Sequence, residues 1–198
     1  MTISSVKTGA VGVSLLAGNT YYDPAATFLI ERTTLTSNNT SVTFSSIPQT
    51  YKHLQIRIIG RSSNTGTNNA QLRLVLNSDT GFNYAYHHLS GNGSSASASG
   101  GAAGSPFAWI TLGTDFIPKD GLTADSFAAA IIDIHDYAST TKNTTVRMLG
   151  GNDVNGTTGR INLASGLWIS TAAVTSIQVN CPDTFKSGST FALYGMVG

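Results

Sequence analysis

Charge is the scarcest property of this sequence. Only 11% of its 198 residues are Asp, Glu, Lys or Arg, with Lys+Arg 11 against Asp+Glu 10 and a net charge of +1. Globular chains usually carry about 25%. A surface with no field of either sign excludes electrostatic binding of nucleic acid, which needs clustered Lys and Arg to neutralise phosphates. Cysteine is limited to Cys181, which has no partner for an internal bridge and reads as a small buried hydrophobe. Glutamate occurs once, at Glu31, so a hydrolase built on paired carboxylates would draw almost wholly on nine Asp. The chain lacks a G-x-S-x-G elbow, a Walker loop and an H-E-x-x-H helix. No apolar run approaches the ~20 residues that a membrane-spanning helix needs. The stretch from Ala10 to Ala17 behind Lys7 has the outline of a secretory leader, but Gly12 and Ser14 interrupt it and no A-x-A site follows. These absences predict a protein without catalytic residues, cofactor or resident metal, and without a nucleic-acid or membrane partner.

What fills the space is small and polar: Ser 23, Thr 26, Asn 14 and Gly 21, together 84 residues. Periodicity of two runs through most of the chain, and no helical stripe exceeds about two turns. In His53 to Arg61, Leu54, Ile56 and Ile58 share one face while Gln55 and Arg57 take the other. Ala70 to Asn77 repeats the pattern with Leu72, Leu74 and Leu76. Further strands are predicted at Thr27 to Thr36, Ser41 to Phe44, Asn83 to Leu89, Phe107 to Leu112, Ser126 to Ile134, Thr144 to Leu149, Arg160 to Trp168, Val174 to Asn180 and Thr190 to Met196. Short strands divided by Gly, Asn and Asp turns predict an all-β, antiparallel β-sandwich of about ten strands, jelly-roll-like. At this length a fold buries roughly 70% of its unfolded surface without disulfides.

Two segments depart from the pattern. Residues 90–105 carry no side chain larger than Asn and predict a long, flexible Gly/Ser/Ala loop. Residues 1–25 are apolar but broken by Gly9, Gly12, Gly18 and Pro24, and predict an extended arm ahead of a single domain at 26–198. Val11, Val13, Leu15, Leu16, Tyr21 and Tyr22 are its partner-binding candidates, with an added edge strand on the chain's own sheet as the alternative.

Candidate chemistry is sparse. Asp133 and His135 would share a strand face, yet two ligands do not hold a metal, and a strand end is the better reading of Asp133-Ile-His-Asp136. His87 and His88 point to opposite faces. Tyr84, Tyr86 and His88 share a face, either as a glycan-stacking strip or as a half-buried face packed on a subunit. Asn77, Asp79 and Asn83 imitate the start of a calcium loop without its closing Glu, and predict a turn. Trp109 and Trp168 are expected in core or interface.

Several stretches resemble a known group. Ser41-Val-Thr-Phe-Ser-Ser-Ile-Pro-Gln-Thr-Tyr-Lys-His-Leu-Gln-Ile-Arg57, Leu76-Asn-Ser-Asp-Thr-Gly-Phe-Asn-Tyr84, Leu89-Ser-Gly-Asn-Gly-Ser-Ser95, Gly166-Leu-Trp168 and Ser187-Gly-Ser-Thr-Phe-Ala-Leu-Tyr-Gly195 are similar to small virion structural proteins of tailed bacteriophages, particularly those of cyanobacteria and marine bacteria. The similarity covers roughly residues 27–198 and rests on strand and turn patterns, so no functional residue is carried over. It implies a non-enzymatic virion protein on the outside of the particle. A head decoration (cement) protein, a homotrimer bound to the major capsid protein, is the first expectation. The alternative is a tail or fibre component that binds a host surface glycan through Tyr84, Tyr86, His87, His88 and the 90–105 loop. An enzyme acting on surface polysaccharide would instead need Asp133, His135 and a further acid to converge.

Overall fold

The computed structural model describes residues 27–104, 108–156 and 158–197, together with the backbone of Val13–Leu16 and Asn19–Tyr22. No helix forms among the described residues. Two short strands, β1 (Val13–Leu16) and β2 (Asn19–Tyr22), pair as a hairpin rather than continuing as an extended arm. The other strands are β3 (Thr27–Thr34), β4 (Asn39–Phe44), β5 (His53–Gly60), β6 (Asn69–Leu76), β7 (Tyr84–Gly91), β8 (Ala96–Gly101), β9 (Ile110–Pro118), β10 (Ala128–His135), β11 (Thr144–Asn152), β12 (Arg160–Trp168), β13 (Ile177–Phe185) and β14 (Thr190–Met196). An eight-stranded sheet runs in the order β3-β14-β5-β10-β11-β12-β7-β8, and a four-stranded sheet in the order β4-β13-β6-β9. Every pairing is antiparallel, and the two sheets form a sandwich-like arrangement.

The alternation in the sequence explains the core. Leu54, Ile56 and Ile58 of β5 and Ile132 and Ile134 of β10 point inward from the large sheet, against Leu72, Leu74 and Leu76 of β6 and Ile177 and Val179 of β13. Each such side chain, fully withdrawn from water, contributes about 1.5–3 kcal/mol. Where β9 crosses the large sheet the facing residues shrink to glycine. A Cβ on Gly166 would collide with Ile110, and one on Gly150 would stand 2.8 Å from Phe116 Cζ. These glycines make room for the branched and aromatic side chains of β9.

Arg61, just beyond β5, is 1% exposed yet fully engaged. Its Nη1 donates to the carbonyls of Thr123 at 2.9 Å and Ser126 at 2.5 Å, its Nη2 to that of Leu122 at 3.1 Å, and its Nε to Asp120 Oδ1 at 3.1 Å. One guanidinium thereby organises the connection between β9 and β10.

Three sequence expectations are corrected. Ala96–Gly101, inside the stretch read as a loop, forms β8 along β7. Its Ser, Ala and Gly side chains give no hydrophobic period, so the backbone ladder alone holds it. β9 continues to Pro118 through irregular register against β6, which breaks the two-residue period on which the shorter prediction relied. β13 starts at Ile177, not Val174, and reaches Phe185 past a register shift after Asn180.

Candidate interaction surface

The outer face of the large sheet carries the most distinctive feature of the molecule. Cross-strand register lines up Ile131 with Leu149, Leu149 with Leu163, and Leu163 with Leu89. A neighbouring row passes from Ile59 through Ala129, Gly151 and Ile161 to Gly91. With Leu29 on β3, the large apolar side chains of this face are each between 44% and 60% exposed. Scattered surface Leu or Ile is ordinary, but seven on one sheet face present on the order of 600 Å² of contiguous apolar surface, the upper limit of the largest patch on a typical monomer.

One part of this face is an open groove of about 840 Å³ whose lining includes Ile59, Ile131 and Leu149. Arg57, the cross-strand neighbour of Ile131 and Ala192, stands within it, and Arg32, Arg160 and Asp153 line it as well. Arg57 is held in place, with its guanidinium 4.7 Å from the Tyr194 ring centroid and its Nε donating to Gln55 Oε1 at 2.9 Å. Arg160 donates twice to Asp115 Oδ2, at 2.9 and 3.1 Å.

Polar residues bound the stripe on its other side. Gln55, Asp133, Arg147, Ser165 and His87 lie in one cross-strand row. Asp133 accepts from Gln55 Nε2 and from Arg147 Nη2, both at 2.9 Å. Burial alone would raise its carboxyl; the two hydrogen bonds and the Arg147 charge outweigh it and hold the group below the usual carboxylate range. The surface is therefore a greasy band with a hydrogen-bonded polar border, which resembles the core and rim of a protein interface.

The other sequence candidates fall elsewhere. Tyr84, Tyr86 and His88 point into the sandwich, at 0%, 7% and 6% exposure, and present nothing to a glycan or a subunit. The Tyr84 hydroxyl donates toward the carbonyls of Leu76 and Asp79 and accepts from the Leu76 amide, and burial pushes its pKa up to about 12. The Tyr86 and His88 rings stack at 6.0 Å, and burial lowers the His88 pKa. The strip is thus intrachain core; sequence alternation identified a shared face but not which way it looks. Val11 lies outside the described residues, and of Val13, Leu15, Leu16, Tyr21 and Tyr22 only the backbone is described.

Asp133 and His135 do not gather further ligands, and no cluster of three metal-ligating side chains occurs among the described residues. His135 packs edge-on against His53 at 5.2 Å, while Asp136 faces Lys142 Nζ at 2.6 Å and Lys52 Nζ at 3.0 Å. Asp79 spends its carboxylate on the Gly81 amide, Asn83 Nδ2 and Trp168 Nε1, as a turn does. Trp168 is buried in the core, and Trp109 carries Arg73 over its ring at 3.9 Å. Cys181 is buried, and its thiol is pushed up to about 12 by that burial.

Sequence reasoning missed the apolar band although a signal was present. Ile58-Ile59, Ile131-Ile132 and Met148-Leu149 are apolar doublets inside strands, and each must put one side chain on either face. Comparison of the whole chain with family models, with curated proteins and with solved structures finds no match.

Proposed function

We propose that this chain is a non-enzymatic structural protein of a tailed-phage virion, a head decoration protein whose sandwich sits on the capsid and stabilises the lattice. The observation that carries the reading is the apolar band across the outer face of the large sheet, whose composition and border suit a protein partner better than a small polar substrate. The resemblance of residues 27–198 to virion proteins supports the choice of assembly. Low charge and abundant Ser, Thr and Asn suit a surface that packs against many neighbours. Within this reading the fold is a jelly-roll-like sandwich, a description supported by the alternation of β3, β4, β5, β6 and β7 between the two sheets. Three copies gather on the major capsid protein at each site. A ligand that binds only the assembled lattice lowers its free energy through occupancy, and repeated contacts multiply the effect.

Residence on the tail is the second reading. The inward turn of Tyr84, Tyr86 and His88 leaves it without its expected glycan platform. Gold-labelled antibody on intact virions tests the pair. Label spread over the shell is expected; label confined to the tail overturns the decoration reading, and absence of label from particles overturns both.

A further inference from the structure

A second concavity, small and polar, lies where β7 turns into β8. Ser90, Asn92 and Ser97 of that hairpin meet Thr114 and Asp115 of β9 and Arg160 of β12 around a pocket of about 150 Å³. Asn92 fixes the turn, its Oδ1 accepting from the amides of Ser94 at 3.0 Å and Ser95 at 2.7 Å. Asn92 Nδ2 and the hydroxyls of Ser90, Ser97 and Thr114 spend no hydrogen bond on another described residue, and all belong to the wall of one small space. Behind them stands Asn162, the cross-strand partner of Ser90, its side chain on the same inward face. A Cβ on Gly113, next to Thr114, would lie 3.5 Å from Asn162 Cγ. Asn162 is 0% exposed, yet neither its Nδ2 nor its Oδ1 has a hydrogen-bond partner among the described residues. Buried carboxamides are hydrogen-bonded in folded proteins, so partners for this one come from outside the chain. A hydroxyl is the group that can both accept from Nδ2 and donate to Oδ1.

The wall selects the chemistry of what it holds. Arg160 donates twice to Asp115 Oδ2, and Asp115 Oδ1 accepts from the Asn69 amide at 3.1 Å, so the two charges cancel and the carboxylate is occupied. An anion finds no free cation there, and a metal ion no free carboxylate. No aromatic or large aliphatic side chain lines the space, which leaves a nucleobase or an acyl chain nothing to lie on. A neutral molecule with closely spaced hydroxyls does match, because each hydroxyl of the wall can donate and accept. The volume is that of about five waters in the liquid and about half that of the smallest usual ligand pockets, room for one ring and not for a chain of them. We propose that this pocket binds a neutral monosaccharide unit, free or at the end of a glycan. Ser90, Ser97, Thr114 and Asn92 Nδ2 hydrogen-bond its hydroxyls, and Asn162 completes the inner wall. Ser97 and Thr114 are exposed and stand at the mouth, so the remainder of a glycan stays in solvent. The site is independent of the apolar band and of any station on a virion.

Proton–nitrogen correlation NMR of the full chain, titrated with the methyl glycosides of glucose, galactose, mannose and N-acetylglucosamine, tests this. At least one glycoside is expected to shift the amides of Ser90, Asn92, Ser97 and Thr114 and the Asn162 side-chain amide. The shifts should saturate with a Kd of about 1 mM, since few hydrogen bonds offset the cost of association. Thr114→Val and Ser97→Ala, both at exposed positions, should together weaken that sugar about fivefold and leave the melting temperature in place. No shift with any member of the panel overturns the proposal. So do shifts that grow without saturating or that glycerol reproduces at equal concentration, which mean an adventitious additive only. Unchanged affinity in the double variant puts the sugar elsewhere and also overturns it. Inorganic phosphate or calcium ion acting on the same amides at lower concentration than every glycoside overturns the neutral class. A disaccharide ending in the preferred ring separates the two sources: equal affinity assigns the pocket to the end of a glycan, and weaker binding assigns it to the free sugar.

Discussion

Arg61 shows how much one side chain organises here. It is buried, and its guanidinium donates to four main-chain carbonyls, the Ser126 hydroxyl and one carboxylate. Replacement by Met would take their donor from the carbonyls of Asp120, Leu122 and Ser126 in a closed site, and Arg61→Met is expected to cost on the order of 3 kcal/mol in urea unfolding. Lys supplies one ammonium instead of a planar fork, so Arg61→Lys should recover only part of that loss. Protonation has readable consequences at the same scale. Hydrogen bonds from Lys142 and Lys52 hold the Asp136 carboxyl down at about 2. The stability it confers is complete above the ordinary carboxylate pKa and is lost as pH falls toward 2, so Asp136→Asn should flatten the acid limb of a stability profile. His88 has its pKa lowered by burial, and His53 by burial and by the neighbouring His135 charge. Unfolded His takes up its proton near 6.5, before the folded rings do. Stability should therefore be full above that value and decline from pH 7 to pH 5, and His88→Phe should shrink the decline while His53 keeps the remainder.

Among the elements, β8 stands apart. It pairs with β7 alone, at the sheet edge, and Ala96–Gly100 are exposed, so nothing but main-chain hydrogen bonds keeps it in register. Amide exchange should be faster in Ala96–Gly101 than in any other strand of the large sheet, and slowest in β5 and β10 at its centre. Edge strands are usually protected by charge, proline or a bulge; β3 has Glu31, Arg32 and a register shift beside it, and β8 has none of these. The same contrast marks how far the sequence could be read. Strands that alternate large apolar and polar residues, such as β5 over Leu54–Ile58 and β6 over Leu72–Leu76, were legible because one face is dry and the other wet. β8 was not, since side chains of Ser, Ala and Gly leave no periodic trace of a backbone ladder. The continuation of β9 to Pro118 was hidden by irregular register, which breaks the period. At the candidate surface the sequence held the doublets Ile58-Ile59 and Ile131-Ile132, but only cross-strand register shows that their outer members meet. Likewise Tyr84, Tyr86 and His88 were recognised as one face, and only packing against the second sheet decides that the face is internal.

Across the whole molecule, four of the seven neighbouring pairs in the large sheet join strands far apart in sequence. β14 lies between β3 and β5 and pairs with both, joining residues near 30 to residues near 190. Such pairings pay the cost of closing long loops before they yield contacts, so refolding should take milliseconds to seconds. Stopped-flow fluorescence of Trp109 and Trp168 would follow it. A chain ending at residue 189 would lose Phe191 and Leu193 from the core and leave β3 and β5 unjoined. That truncation is expected to abolish cooperative unfolding, which circular dichroism on heating would reveal.

The position of β14 also sets a schedule. While a ribosome is still working through the preceding 189 residues, β3 has no neighbour on its inner side and the floor of the groove is missing Ala192 and Tyr194. The outer groove is complete only once residues 190–196 have cleared the exit tunnel. Nascent chains crowded on one message thus expose the rest of the apolar band before β14 has completed the groove.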